Sequence, residues 1–290
     1  MGTRAATIVI LTEPILGLDP NSTIARAAQC FWVPQGHRVV VHRGLDPPPP
    51  GDVAILHVDL TRVPAGYGAL AARYPVAING RTGDIAKRAI SRDLVAADDP
   101  YDGPVIVKTD LNHAGIPARE RRLAAGGRLA RLWDEAASRL PAAWTGRLPG
   151  DRYLVYARKG EVPRWVWRTP ALVVQRLYAE RRGDLYAMHQ WYCLGDSDCV
   201  STFLAAAPVV KLSTVVERLP LHRDVPAALR RRREELQMDY GKLDFIVDGG
   251  TPALLDANRT PNEGDVATTG RIADICRAVA AGLDFYLARR

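Results

Sequence analysis

Short apolar runs alternate with segments of helical spacing over the first eighty residues. Residues 6–12 are an almost unbroken apolar run that predicts a buried strand. Asn21-Ser22-Thr23 then offers a helix cap, and Ile24, Ala27, Ala28 and Phe31 recur at helical spacing behind it. Val39-Val40-Val41 predicts a second strand, 52–59 a third and 76–78 a fourth, with a short helix over 65–73. The prolines at 47–50 cannot lie in a helix or a central strand and mark a stiff connection. Strands alternating with helices in this way predict a small parallel α/β lobe over 1–78.

The pattern changes from Asn79. A turn leads into a basic helix carrying Lys87, Arg88 and Arg92, and 104–108 forms an apolar strand ending in Lys108. Residues 118–140 are rich in Ala, Arg and Leu and predict a helix bent at Gly126-Gly127, with Leu123, Leu129, Leu132 and Trp133 as core candidates. The stretch 141–170 is irregular and aromatic; its Trp165 and Trp167 suit packing better than a stacking platform. Residues 171–175 and 186–193 predict strands, and 208–211 a further one ending in Lys211. The run Arg230 to Arg233 reads as a solvated helix face with Glu234 and Glu235 as local ion-pair partners. From Gly270 an Ala-rich helix carries Ile272, Ile275, Val279 and Leu283 at helical spacing and should cover a sheet.

The most informative chemistry lies at 239–261. Two apolar runs, 243–247 and 253–257, flank the turn Asp248-Gly249-Gly250-Thr251-Pro252, which predicts a β-hairpin. Antiparallel pairing brings the start of the first strand beside the end of the second, so Asp244 falls near Asp256 and Asn258. Asp256 and Asn258, two apart, leave the same face of a strand. Two carboxylates and a carboxamide oxygen are hard ligands suited to Mg²⁺ shared with nucleotide phosphates; such residues also occur as plain solvated turn residues. A lysine delivered by a strand into an irregular loop, as Lys108 is, has the reach to meet phosphates beneath the loop amides.

Gly241-Lys242-Leu243-Asp244 and Asp256-Ala257-Asn258-Arg259-Thr260-Pro261 resemble the C-terminal signature of the ATP-grasp superfamily. The family usually has Glu where this chain has Asp256, a side chain longer by one methylene. The resemblance spans roughly 75 to 290, together with an N-terminal lobe of the kind that precedes such modules. It implies a two-lobed ATP-grasp domain over 79–290, with a first lobe over 79–170 that holds an insertion and a second over 171–290 with the metal hairpin. It also implies ATP between the lobes and Mg²⁺ on Asp244, Asp256 and Asn258, with Lys242 beside the reacting phosphoryl or acyl-phosphate group. Lys108 would bind phosphate ahead of a flexible loop in which Gly115 is the single glycine, and Leu172 to Leu177, including Gln175, would read adenine through its backbone. Glu180 would lie within reach of the ribose. For Lys211, phosphate contact and simple exposure are equally compatible with its position.

Composition narrows the partners. The 290 residues are 47% hydrophobic and 24% charged, ordinary for a globular chain, and the formal charge of +7 suits an anionic ligand. No basic groove interleaved with aromatics appears, which leaves nucleic acid the weaker partner. Cys30, Cys193, Cys199 and Cys276 are scattered, so neither a zinc site nor a disulfide framework follows, and reduced thiols in a cytoplasm are expected. The apolar run near the N-terminus is too short for a signal peptide or a membrane span.

The activity implied by the resemblance is an ATP-dependent ligase joining a carboxylate to an amine through an acyl phosphate, on small-molecule or peptide substrates. A phosphotransferase and a non-catalytic nucleotide-binding protein are the alternatives. Homodimers are frequent among proteins resembling this family. Glu13, just beyond the first strand, reads first as a surface glutamate and second as a contact for a cationic substrate group. Arg259 and Asn262 flank the metal strand within reach of a carboxylate.

Overall fold

A computed structural model describes residues 5–148, 153–262 and 270–289. The N-terminal lobe is a four-stranded parallel sheet in the order β2-β1-β3-β4, built from β1 (Thr7–Thr12), β2 (Arg38–Arg43), β3 (Val53–Leu56) and β4 (Val76–Ile78). Its central strands are buried on both faces, which is why they read as continuous apolar runs rather than alternating ones. Ser22 caps the helix Thr23–Ala27, its side chain accepting from the Ala25 N–H at 3.4 Å.

Two antiparallel sheets follow. The smaller has the order β6-β5-β7, from β5 (Val105–Thr109), β6 (Leu154–Tyr156) and β7 (Leu172–Arg176). The larger runs β11-β10-β9-β12-β13, with β8 (Arg181–Arg182) added to the edge of β9 (Leu185–Leu194). Its other strands are β10 (Ser197–Ala205), β11 (Val215–Arg218), β12 (Tyr240–Asp248) and β13 (Thr251–Asn258). The chain is thus mixed α/β, a small parallel sheet followed by two antiparallel ones.

The parallel lobe and the large sheet share one core. Ile8, Ile24 and Trp32 pack with Tyr192 and Leu194 of β9 and with Ile275 and Val279 of the helix Arg271–Ala281. The Trp32 indole donates to the Ala280 carbonyl at 3.0 Å, satisfying the one polar atom that its burial would strand. Gly282 permits this docking: a Cβ there would stand 1.9 Å from the Leu194 carbonyl oxygen. Within the large sheet β12 alternates, Leu243 and Phe245 entering the second core while Lys242, Asp244 and Ile246 face away from it.

Four sequence expectations need correction. Leu129, Leu132 and Trp133 are not core residues but exposed, at 75%, 54% and 76%, because in the helix Ile116–Ser138 only Pro117 and Asp134 are buried. In 230–233 Arg231 is exposed and Arg232 makes the expected local pair with Glu235, but Arg230, Arg232 and Arg233 are not merely solvated. Arg232 donates to the Ala89 and Ile90 carbonyls, Arg233 to those of Gly195, Met238 and Asp239, and Arg230 to Asp198. The strand expected at 208–211 is an irregular loop between β10 and β11, consistent with the missing N–H of Pro208. Glu13 is 1% exposed rather than a surface residue, its carboxylate accepting from the N–H groups of Ile15 and Leu16.

Candidate functional site

The small and large antiparallel sheets face each other across a cavity of about 560 Å³. β5 supplies Ile106, Lys108 and Thr109; β9 supplies Met188 and Gln190; β12 and β13 supply Lys242, Asp244, Ile246 and Asp256. The loop holding His113 and Ala114 and the segment 208–213 with Lys211 complete the lining. The expected hairpin is present and brings Asp244 to Asp256: the two lie directly opposite, with Lys242 opposite Asn258. A bulge beside the carboxylate pair skips Leu255, so Leu255 and Asp256 both line the cavity. Gly241 makes the hairpin's start feasible. Its φ is 155°, and a Cβ there would lie 2.4 Å from the Asn258 carbonyl oxygen.

The charges are arranged in opposition. Lys87, from the short helix Lys87–Ile90, is 5% exposed and places Nζ 2.5 Å from Asp256 Oδ1, an acceptor also bonded by the Ala257 N–H at 2.8 Å. Burial works against ionisation of Asp256, but the Lys87 ammonium, helped by Lys108 and Lys242, outweighs it and holds the carboxyl below its ordinary value. Asp244 is shifted the other way: burial raises it, and Asp256 adds to the rise against the pull of Lys242. Lys242 Nζ lies 3.5 Å from Asp244 Oδ1, and that buried oxygen has no hydrogen bond. Lys108 is pushed down to about 8, first by burial and then by Lys87. The ring of Tyr153 carries both Lys108 and Lys211, at 5.9 and 5.2 Å from its centroid. Four lysines and Arg176 thus surround two carboxylates, leaving the cavity positively charged.

A buried carboxylate oxygen without a hydrogen bond, facing a second carboxylate across one ladder rung, is the donor chemistry that Mg²⁺ takes, and Asp244 and Asp256 fit that ion. Asn258 sits one pair further along; its Oδ1 accepts from the N–H and hydroxyl of Thr260 and lies outside the cavity lining. Among the described residues no group of three His, Cys, Asp or Glu is placed to hold a metal, so any ion here rests on two carboxylates and non-acidic oxygens.

The remaining candidates are distributed unevenly. Leu177 lines the cavity, whereas Gln175 is fully buried, its amide donating to Ser91 Oγ at 3.0 Å and the Leu254 carbonyl at 3.4 Å. The backbone around Gln175 has no open edge. β5 pairs with one side, while on the other Val95 N–H donates to the Val174 carbonyl and Arg176 N–H to that of Asp93. Glu180 is on the opposite face of the large sheet from the cavity. Its carboxylate meets His189 Nε2 at 2.9 Å, the Val247 N–H at 2.7 Å and Arg182 Nε at 3.1 Å, in a shallow groove floored by Phe245 and Val247. Gly115 is buried with φ 75°, completing three successive left-handed residues after His113 and Ala114, which line the cavity with Ile116. Arg259 is spent inside the protein, its guanidinium donating to the carbonyls of Leu60, Thr61 and Thr82, and Asn262 donates to Asp19.

Lys87 and Tyr153 are the functional candidates that sequence reasoning passed over. Lys87 carries a signal in retrospect: Ile85-Ala86 before it and Ala89-Ile90 after it are apolar, unusual surroundings for a solvated lysine. Tyr153 carries none, since only the tertiary fold sets its ring between two lysines from distant segments.

No protein-family model and no curated protein matches this chain. Among solved structures the chain is similar to a RimK domain protein ATP-grasp from Sphaerobacter thermophilus, at 15% identity and a TM-score of 0.48, over 97% of this chain and 100% of that one. It is similar also to the ATP-grasp ligase PsnB complexed with minimal precursor (12% identity, TM-score 0.46, 95% and 99% covered). A third likeness is to D-alanine–D-alanine ligase from Bacillus anthracis (9% identity, TM-score 0.39, 98% and 97% covered).

Proposed function

We propose that the chain is an ATP-dependent ligase of ATP-grasp type that joins a carboxylate to an amine. The observation that carries this reading is the cavity itself, in which four lysines surround the Asp244–Asp256 pair between two sheets. A polyphosphate needs that excess of positive charge, and its divalent cation needs the paired carboxylates. Leu177 and Tyr178, directly after β7, would give an adenine ring an apolar and aromatic wall. Lys108 and Lys211 would hold phosphate oxygens at the rim, with Tyr153 fixing both ammonium groups. Lys242, at the foot of the carboxylate pair, would stand beside the γ-phosphate. Mg²⁺, when bound, supplies charge neutralisation at the phosphates.

The reaction asks little covalent chemistry of the protein. A substrate carboxylate oxygen attacks the γ-phosphorus, ADP departs, and an acyl phosphate results. The amine then attacks the acyl carbon and expels inorganic phosphate, losing one proton. The chain's task is to hold the anions together, orient them and exclude water. Lys87, tied to Asp256, would hold that carboxylate ionised and aligned.

Phosphorus NMR on reactions containing a carboxylate panel, an amine panel and MgATP tests this reading. ADP and free phosphate that accumulate only when both acceptors are present are the expected result. Phosphate retained on an acceptor would replace ligation with phosphotransfer.

A further inference from the structure

The helix Ile116–Ser138 is inverted in its amphipathicity. Gly127, with φ 59° and ψ −147°, breaks it into two halves. Arg119 Nε bonds Asp134 Oδ2 at 2.8 Å although fifteen residues of straight helix would separate them by about 22 Å, so the second half doubles back on the first. Between the halves lies charge: Asp134 is 4% exposed and receives Arg119, Arg122 and Arg147. Outside lies the apolar stripe. Leu129, Leu132 and Trp133 recur at i, i+3 and i+4 on one face, exposed at 75%, 54% and 76%, and Trp144 in the next turn is 78% exposed. An apolar face of this breadth on solvent marks an interaction surface.

Charge and position specify the occupant. Residues 116–147 hold seven arginines and three carboxylates, and Asp134 and Glu135 are already consumed by local ion pairs. Arg128 and Arg131, beside the stripe, are exposed and have no ion pair among the described residues. The hairpin is also continuous with the cavity, for Ile116 at its start and Leu148 just past its end line the cavity wall. We infer that this face docks an acidic, apolar peptide segment, so that the ligase acts on a carboxylate or amine carried by a peptide or protein. The inference rests on the ligase reading for its purpose, although docking itself needs no nucleotide. Leucine and tryptophan anchors in an amphipathic partner would cover the stripe, and its carboxylates would meet Arg128 and Arg131.

The test is fluorescence anisotropy with a labelled helical peptide of about 16 residues, Leu at i, i+3, i+4 and i+7 and Glu elsewhere. The full chain should bind it saturably, and a peptide with Lys for each Glu should not bind. The double substitution Leu129→Ser, Trp133→Ser should weaken binding at least about tenfold, and Arg128→Glu, Arg131→Glu should abolish its salt dependence. ATP affinity, measured on the same variants, should be unchanged, which separates failure of docking from failure of the nucleotide site. Equal binding of acidic and basic peptides would overturn the inference. So would Trp133-dependent self-association in light scattering, or Trp133-dependent binding to vesicles containing phosphatidylglycerol in the absence of peptide binding.

Discussion

Lys108 and Lys87 illustrate how one side chain sets the electrostatics of its neighbour. Burial first, and Lys87 second, lowers Lys108 to about 8. Below that pH the ammonium is present; above it the folded chain has shed the proton, although an unfolded lysine would still hold it. Affinity for MgATP should therefore decline as pH rises through about 8, and Lys108→Arg, whose guanidinium stays charged, should flatten the profile. A wild-type profile with no decline between about pH 7 and 9 would remove Lys108 from the phosphate site. Lys87 acts in the other direction on Asp256. In Lys87→Met the burial of that carboxyl is opposed by Lys108, Lys242 and the Ala257 N–H without the nearest ammonium, so its pKa should rise, visible by carbon NMR of labelled aspartate. An unmoved Asp256 would mean that the 2.5 Å ion pair is not what keeps it ionised. Neither relation is written in local sequence, because Lys87 and Asp256 are 169 residues apart.

The hairpin β12–β13 is the element most legible in the sequence. Two apolar runs around Asp248-Gly249-Gly250 announce the hairpin and bring Asp244 near Asp256, but the bulge at Leu255 that sets the two directly opposite is not announced by them. The parallel lobe was equally readable, since strands buried on both faces announce themselves as apolar runs. Pairing partners beyond the nearest strand were not. The segment 93–95 that closes the open edge of β7, and so denies Gln175 the backbone role implied for it, carries no signal of its own. Helical periodicity likewise marked Leu129, Leu132 and Trp133 as one face, but periodicity cannot say whether a face meets a core or solvent. Gly241 gives this element its sharpest test. A methyl group at Gly241→Ala would lie 2.4 Å from the Asn258 carbonyl, so β12 and β13 must part there. The cost should be about 1–3 kcal/mol in urea unfolding, with weaker MgATP binding, while Gly249→Ala, facing open space, should leave the binding intact.

At the scale of the whole molecule the parallel lobe is seated against the large sheet, whose other residues line the cavity. Trp32 packs into the shared core from one side, and Arg259 reaches back from the end of β13 to carbonyls at 60, 61 and 82. Arg259→Met would strand those buried carbonyls and should lower stability by about 3 kcal/mol, read as a shift in the urea midpoint. A midpoint within experimental error of wild type would mean the lobe is held by the apolar core alone. The claim on which everything else depends is that the charged cavity takes MgATP on Asp244 and Asp256. Calorimetry of ATP binding with and without Mg²⁺, on wild type and Asp256→Ala, tests it most directly. Binding that requires Mg²⁺ and is lost or weakened at least about a hundredfold in the variant is the expected result. Equal affinity in both proteins, or no binding in either, would contradict the site.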